Sequence, residues 1–219
     1  MLNKSIIISI FLISYIIGSI PFSYIITRLF KGKDIRKLGT KNVGAMNAVS
    51  VAGLIPGLIA LFLDVSKGAL VVYLTEKITG SLAVSLFAGL FAVAGHNWPI
   101  FLKFKGGKGI ATAIGILLLK SPLSILILYL IIIPIIILIT NDSFMSASVG
   151  FLIFPLILWF LEKNIWFLIF GILLALIIVI RHLNELKTYF EGRRELNPIV
   201  QKMRDYVLRK KNQKSITPT

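Results

Sequence analysis

With 219 residues, 57% of them hydrophobic, and a mean hydropathy of +0.90, the chain is far more apolar than a soluble domain, whose apolar share is about 45–50%. It reads as a membrane protein, and without cysteine it has neither a disulfide framework nor a thiolate for metal binding or nucleophilic attack. The 24 Lys and Arg against nine Asp and Glu cluster between hydrophobic runs, so membrane topology explains the net charge of +15 better than nucleic acid does.

Seven hydrophobic runs lie at about 5–29, 51–75, 80–95, 109–119, 122–140, 144–161 and 165–180. The first follows a lysine, as a signal peptide would, but lacks a small-residue cleavage site and runs too long, so it reads as a retained span. Lipid offers backbone groups no partner, so each run is expected as a helix and the fold as an all-α bundle of about seven transmembrane helices. The third and fourth are short, which implies tilt, local thinning or burial in the bundle. The Ile-rich fifth and seventh are apolar all round and are expected against lipid.

Seven crossings put the termini on opposite sides. The loop 28–41, the loop 103–108 and the segment from Arg181 onward hold 19 basic residues, against Lys4, Lys77, Lys120 and Lys163 on the other side. The positive-inside rule then places the N-terminus outside and the C-terminus in the cytoplasm. Residues 1–208 read as one membrane-embedded domain and 209–219 as a polar basic tail, with no internal repeat.

Every glycine-rich polar segment falls on the basic side. In "LGTKNVGAMNA", 38–48, glycines, a hydroxyl, two asparagines and nearby Lys33, Arg36, Lys37 and Lys41 suit an anionic head group, or form an ordinary turn with topology charges. In "LDVSKGA", 63–69, Asp64 and Lys67 stand three apart within an apolar span, where an internal ion pair orienting the bundle is preferred over direct catalysis. "AGHNWP" places His96 at a span end beside an interfacial Trp98; His96 can act as a general base or bond a phosphate. "FLKFKGGKGIATAIG", 101–115, offers glycines, Lys105, Lys108 and the start of a helix to an anion, or is a flexible basic loop; it is no Walker A motif, because Gly109 follows Lys108. In "TNDSFMSAS", 140–148, Ser143 or Ser146 can cap the sixth helix or touch substrate. Arg181 and His182 emerge from the last span, Arg181 suited to bidentate phosphate contact.

Taken in order, "GSIPFSY", "GTKNVGAMN", "LDVSKGA", "AGHNWPIFLKFKGGKGIATAIG", "SFMS" and "RH" with Gly192 resemble the PlsY family of bacterial membrane acyltransferases, over about residues 15–195. The resemblance implies a seven-helix enzyme of the bacterial cell membrane with a cytoplasm-facing active site. It would transfer an acyl chain from acyl phosphate to glycerol 3-phosphate, giving lysophosphatidic acid and phosphate, without acyl-CoA or acyl-carrier protein as direct donor. Consistently, the HxxxxD pattern of acyl-CoA-using enzymes is absent, with Phe101 and Lys187 five residues beyond the two histidines. The family's glycine-rich loop is associated with glycerol 3-phosphate, a role that would fall here to Gly106, Gly107, Lys108 and Gly109. Departures stand at Thr40, Lys41 and Met46, at Ser50 where the family has arginine, at Glu185 where it has asparagine, and at the displaced Glu195. The chain thus reads as a divergent member, with acceptor and activity left open.

The expected mechanism holds two phosphates close together and neutralises developing charge. Thr40, Lys41, Asn42 and Asn47 would contact one, and Gly106, Gly107, Lys108, Ser143 and His182 the other, with Gly44, Lys105, Gly109 and Arg181 as further substrate-binding residues and His96 or a substrate phosphate as base. The catalytic set is thus His96, Lys108, Ser143 and His182, with an acyl chain in a groove open to lipid. No metal or cofactor is expected, and the chain is expected to work as a monomer with lipid and small substrates as partners. Two rival readings fit less well: a transporter would show polar residues along several spans, and a head-group phosphotransferase would show a carboxylate-rich metal motif.

Overall fold

The computed structural model describes residues 3–192, so the expected polar tail at 209–219 and Glu195 lie outside the described residues. Among the described residues the α-helices run in the order α1 (Lys4–Ser19), α2 (Phe22–Lys31), α3 (Ala45–Ala52), α4 (Leu54–Thr79), α5 (Leu82–Asn97), α6 (Ile110–Lys120), α7 (Pro122–Ile127), α8 (Ile133–Thr140), α9 (Ser143–Glu162) and α10 (Ile165–Phe190), with short 3-10 turns at Ile35–Lys37 and Ile100–Leu102. A π-helical turn, Leu128–Ile132, joins α7 to α8. Among the described residues six helical stretches are long and apolar enough to cross a membrane, while α6 is a shorter apolar helix. The first stretch, Lys4–Lys31, is interrupted at Pro21, which fixes its own φ and lacks the N–H that would continue the ladder.

Helices in lipid gain little from hiding apolar surface, so their association rests on close packing. Two pairs of glycines supply it here. A Cβ on Gly18 of α1 would overlap the Ala92 backbone of α5, and one on Gly95 of α5 would overlap the Tyr15 carbonyl. A Cβ on Gly68 of α4 would likewise overlap the Thr112 carbonyl of α6, and one on Gly115 the Val65 carbonyl. Backbone touches backbone at both crossings.

The second crossing sets the depth of the loop before α6. Gly68 lies 14 residues into α4, so the start of α6 is level with a point roughly 20 Å along α4 at 1.5 Å per residue. With only 11 residues, α6 spans roughly 16 Å, about half the hydrocarbon thickness. The glycine-rich loop is therefore carried into the bundle.

Phe151, Phe154, Phe170, Leu174, Ile116 and Leu86 form the main core between α5, α6, α9 and α10. Here the expectation that run 165–180 faces lipid on all sides is corrected: Phe167, Phe170, Gly171, Leu174 and Ile178 are buried, and only the other face, with Ile172, Leu176 and Ile180, is exposed. An all-apolar run carries no pattern that tells a neighbouring helix from lipid, so α9 decides which face is inside. A second core of Ile26, Ile35, Val43, Ala48, Ala60 and Leu102 lies under the first basic loop, which is pinned down rather than solvated. At the far end Lys120 pairs with Glu76, and Ser121 donates to Glu162 at 2.5 Å, tying α4, α6 and α9.

Gly68→Val is expected to lower stability in detergent by about 1–3 kcal/mol, the usual range for overpacking. Thermal melting reads this directly, and an unchanged midpoint would show that α4 and α6 do not touch there.

Candidate active site

Asp34 begins the first loop's turn by accepting from the Arg36 N–H at 3.0 Å, and its carboxylate takes the Arg36 guanidinium at 2.7 Å. That hydrogen bond holds the Asp34 carboxyl below the usual carboxylate range. Arg36, with its charge thus balanced, lies over the Tyr24 ring at 5.3 Å. The rest of the loop is shaped by Asn47 of α3. Its side-chain oxygen accepts from the Thr40 N–H at 3.0 Å, and its nitrogen reaches the carbonyls of Asn42 at 2.9 Å, Leu38 at 3.1 Å and Ile35 at 3.3 Å. Asn47 is buried and works inward, so Thr40, Lys41 and Asn42 are displayed outward. Gly44 caps α3, and Ser50 donates to the Asn47 carbonyl at 3.1 Å.

The glycine-rich loop approaches from the other side. Lys103 and Phe104 take left-handed conformations that reverse the chain after Ile100–Leu102. A Cβ on Gly107 would run into the His96 ring and the Val43 carbonyl, so this glycine is required by packing. Its N–H donates to the His96 carbonyl at 3.1 Å and is turned inward. Arg181 of α10 grips the same loop from outside, donating from Nε to the Gly107 carbonyl at 2.9 Å and from Nη2 to the Gly106 carbonyl at 3.0 Å. Gly109, with φ of 77°, leads into α6 against the Asn97 side chain.

Behind the loop lies a buried cluster that spacing alone only half reveals. Asp64 Oδ1 and Lys67 Nζ are 2.6 Å apart, the internal pair expected from "LDVSKGA". His96 joins them, its Nδ1 3.1 Å from Lys67 Nζ and 3.4 Å from Asp64 Oδ1. Ser23 donates to Asp64 Oδ2 at 3.1 Å, and Lys67 donates to the Ile20 carbonyl at 3.0 Å. A lysine ammonium has no acceptor, so its bond to Nδ1 leaves the imidazole proton on Nε2, the atom facing Gly107. His96 thus supports the loop from below.

The remaining groups come from α9 and α10. Asp142, rather than Ser143 or Ser146, caps α9, accepting from the N–H groups of Phe144 and Met145 at 2.8 and 2.7 Å. Aspartate is as good a cap as serine, and Ser143 is already the first helical residue, exposed beside Phe144. Phe144 lies edge-on to the fully buried His182 and carries Lys108 Nζ over its face, 3.5 Å from the ring centroid. Lys108 also meets the Glu185 carboxylate at 2.5 Å.

A cavity of about 310 Å³ opens between the two loops and α10. Thr40, Lys41, Asn42, Lys105, Gly106, Lys108 and Arg181 meet at it, seven of the residues expected from sequence. Gly44, Asn47, Gly107, Gly109 and His96 stand behind these as supports, while His182 lies edge-on to the Phe144 ring and Ser143 is exposed at the start of α9, neither of them in the cavity lining. Arg36, read from sequence as a donor beside the first loop, also lines it, and Phe104, Asn184 and Glu185 complete the lining without a site role expected from sequence. Only Glu185 left a signal, four residues after Arg181 and therefore on the same helical face.

Replacing Arg181 by methionine is expected to release the loop, because two charge-assisted bonds vanish together. Amide exchange across 103–110 should quicken by roughly tenfold or more with the bundle core unaffected. Unchanged exchange there would mean that Arg181 does not hold the loop.

A family model described as glycerol-3-phosphate acyltransferase matches residues 8–192. The glycerol-3-phosphate acyltransferase 2 of Dehalococcoides mccartyi is 39% identical over 187 residues, spanning 85% of this chain and 89% of the relative. The glycerol-3-phosphate acyltransferase of Desulforamulus reducens is 35% identical over 179 residues, spanning 82% and 89%. The crystal structure of PlsY (YgiH), an integral membrane glycerol 3-phosphate acyltransferase, in its glycerol 3-phosphate form, superposes with a TM-score of 0.78 at 30% identity, covering 90% of this chain and 98% of that one. With its apolar helices, its glycine-rich loop and its cation-lined cavity, the chain belongs to the glycerol-3-phosphate acyltransferase family and is a multi-pass membrane protein.

Proposed function

We propose that the chain transfers an acyl group from acyl phosphate to a hydroxyl of glycerol 3-phosphate, giving lysophosphatidic acid and inorganic phosphate. The observation that carries this reading is the convergence of Lys41, Lys105, Lys108 and Arg181, from three separate segments, on one cavity beside apolar helices. Cations and loop backbone at a lipid boundary suit substrates that join a phosphate to a hydrocarbon chain. The excess of basic residues on the cavity's side supports a cytoplasmic active site in a bacterial cell membrane.

Acyl phosphate already carries a good leaving group, so the protein's task is placement and charge neutralisation. Thr40, Lys41 and Asn42 hold one phosphate, and Lys105, Gly106 and Lys108 the other, with Arg181 fixing the loop. The glycerol hydroxyl oxygen attacks the acyl carbon, the bond from that carbon to the phosphate oxygen breaks, and phosphate leaves with the electron pair. The hydroxyl proton passes to a phosphate oxygen. His96 is the less apt base, since its Nδ1 is engaged by Lys67 and Nε2 faces the loop backbone. The sequence has no cysteine to carry a thioester, which favours direct transfer.

Purified protein in detergent, given long-chain acyl phosphate and glycerol 3-phosphate, should release phosphate and form lysophosphatidic acid. Lys108→Ala should lower kcat/KM by about 100-fold or more, the scale for losing one charge-stabilising donor. Absence of turnover by the wild type, or full activity of Lys108→Ala, would sink the reading. His96→Gln, if it still folds by melting and gel filtration, should keep the shape of the kcat against pH profile while losing rate. Disappearance of one limb of that profile would make His96 the base.

A further inference from the structure

The cavity has a single carboxylate among its described lining residues, Glu185. Its Oε1 is 2.5 Å from Lys108 Nζ, and the two partners differ in exposure: the Glu185 side chain is 31% exposed and that of Lys108 10%. The lysine is thus the buried partner, roofed by the Phe144 ring, and the carboxylate is the one that faces open space. Lys105 from the glycine loop, Lys41 and Arg36 from the first loop and Arg181 one turn earlier on α10 line the same cavity. Arg36 is balanced by Asp34, and Arg181 is occupied with two loop carbonyls. His182, buried beside Phe144, is a further titratable neighbour on that helix, with Lys187 and Tyr189 in the turn that follows Glu185.

We infer that Glu185 is the resident counter-anion of the cavity: it holds Lys108 while no phosphate is bound, yields it to an incoming phosphate, and takes it back as phosphate leaves. A lysine this buried needs a partner, and Glu185 supplies one that leaves when a better anion arrives. A cavity of cations without it would grip phosphate tightly, and phosphate is a product of the proposed reaction. Glu185 repels that product and competes for its ligand, so anions enter and depart by exchange. The inference concerns phosphate binding and rests on the proposed function only for the identity of the anion.

Binding of inorganic phosphate to the purified full chain in detergent, followed by calorimetry, tests this. Glu185→Gln should bind phosphate roughly tenfold tighter, chiefly because Lys108 no longer has a resident carboxylate that the anion must displace. Lys108→Met should weaken binding, and adding Glu185→Gln to it should restore little. The same gain is expected with glycerol 3-phosphate, and in turnover the glutamine variant should be inhibited at lower phosphate concentrations. Equal or weaker phosphate binding by a folded Glu185→Gln overturns the inference, with Glu185→Asn as a second variant should the first fail to fold. A gain confined to glycerol 3-phosphate also overturns it, by assigning Glu185 to the glycerol. If the wild type binds phosphate and Glu185→Gln binds it tighter, yet neither transfers acyl groups, the reaction assignment fails while this inference stands.

Discussion

The buried ion pair between Asp64 and Lys67 governs how the rest of this bundle is arranged. Two charges within a membrane helix persist only when their remaining hydrogen-bonding capacity is met, and removal of one partner from such a pair costs about 3–5 kcal/mol. Here the capacity is met from four directions: Ser23 on α2, the Ile20 carbonyl at the break after α1, His96 on α5, and the mutual contact itself. The pair therefore explains why the first span breaks at Pro21. An unbroken helix would satisfy the Ile20 carbonyl internally and leave the lysine one acceptor fewer.

The glycine-rich loop is built on that base. Gly107 lies on the His96 ring, Gly109 on Asn97, and Arg181 grips the carbonyls above, so the glycines serve close contact at least as much as substrate access. A loop clamped from both sides keeps its lysines aimed, which is what a charge-stabilising site requires, since donors that must reorganise during the reaction contribute less. The first loop follows the same logic with different means: Ile35 and Val43 sink into a small core, Asn47 ties the backbone, and Thr40, Lys41 and Asn42 are left to face the cavity. In both loops the inward residues set the shape and the outward ones carry the charge.

Much of this was legible residue by residue. The motif order, the apolar runs and the bias of basic residues pointed to a helical membrane enzyme with its chemistry on the basic side, and seven of the expected binding residues do share one cavity. Less legible were the roles inside each motif. Asn47 and Gly107 stand in the motifs as though they were ligands, yet the Asn47 amide turns to its own loop's backbone and the Gly107 N–H to the His96 carbonyl of α5. A motif records that a residue type is needed, and a hydrogen bond inward needs asparagine as much as one outward does. Asp142 directly precedes the helix and caps α9, although the serines that follow it are equally good caps by residue type. Glu185 was visible as a departure, but its partner lies 77 positions away in the chain.

By itself the sequence determined what is local or additive: the helical runs, their approximate ends, the clustering of positive charge between them and the chemical types gathered in each loop. These follow from hydrophobic length, from Gly and Pro at breaks, and from counts of lysine and arginine, none of which needs a neighbour. Tertiary structure alone decided which face of the uniformly apolar α10 is inside, that His96 completes the Asp64–Lys67 pair, and that Glu185 meets Lys108. The first follows from packing against α9, the second from α5 lying against α4, and the third from the Gly68 and Gly115 crossing, which draws α6 against α4 and brings the loop before it down into the bundle.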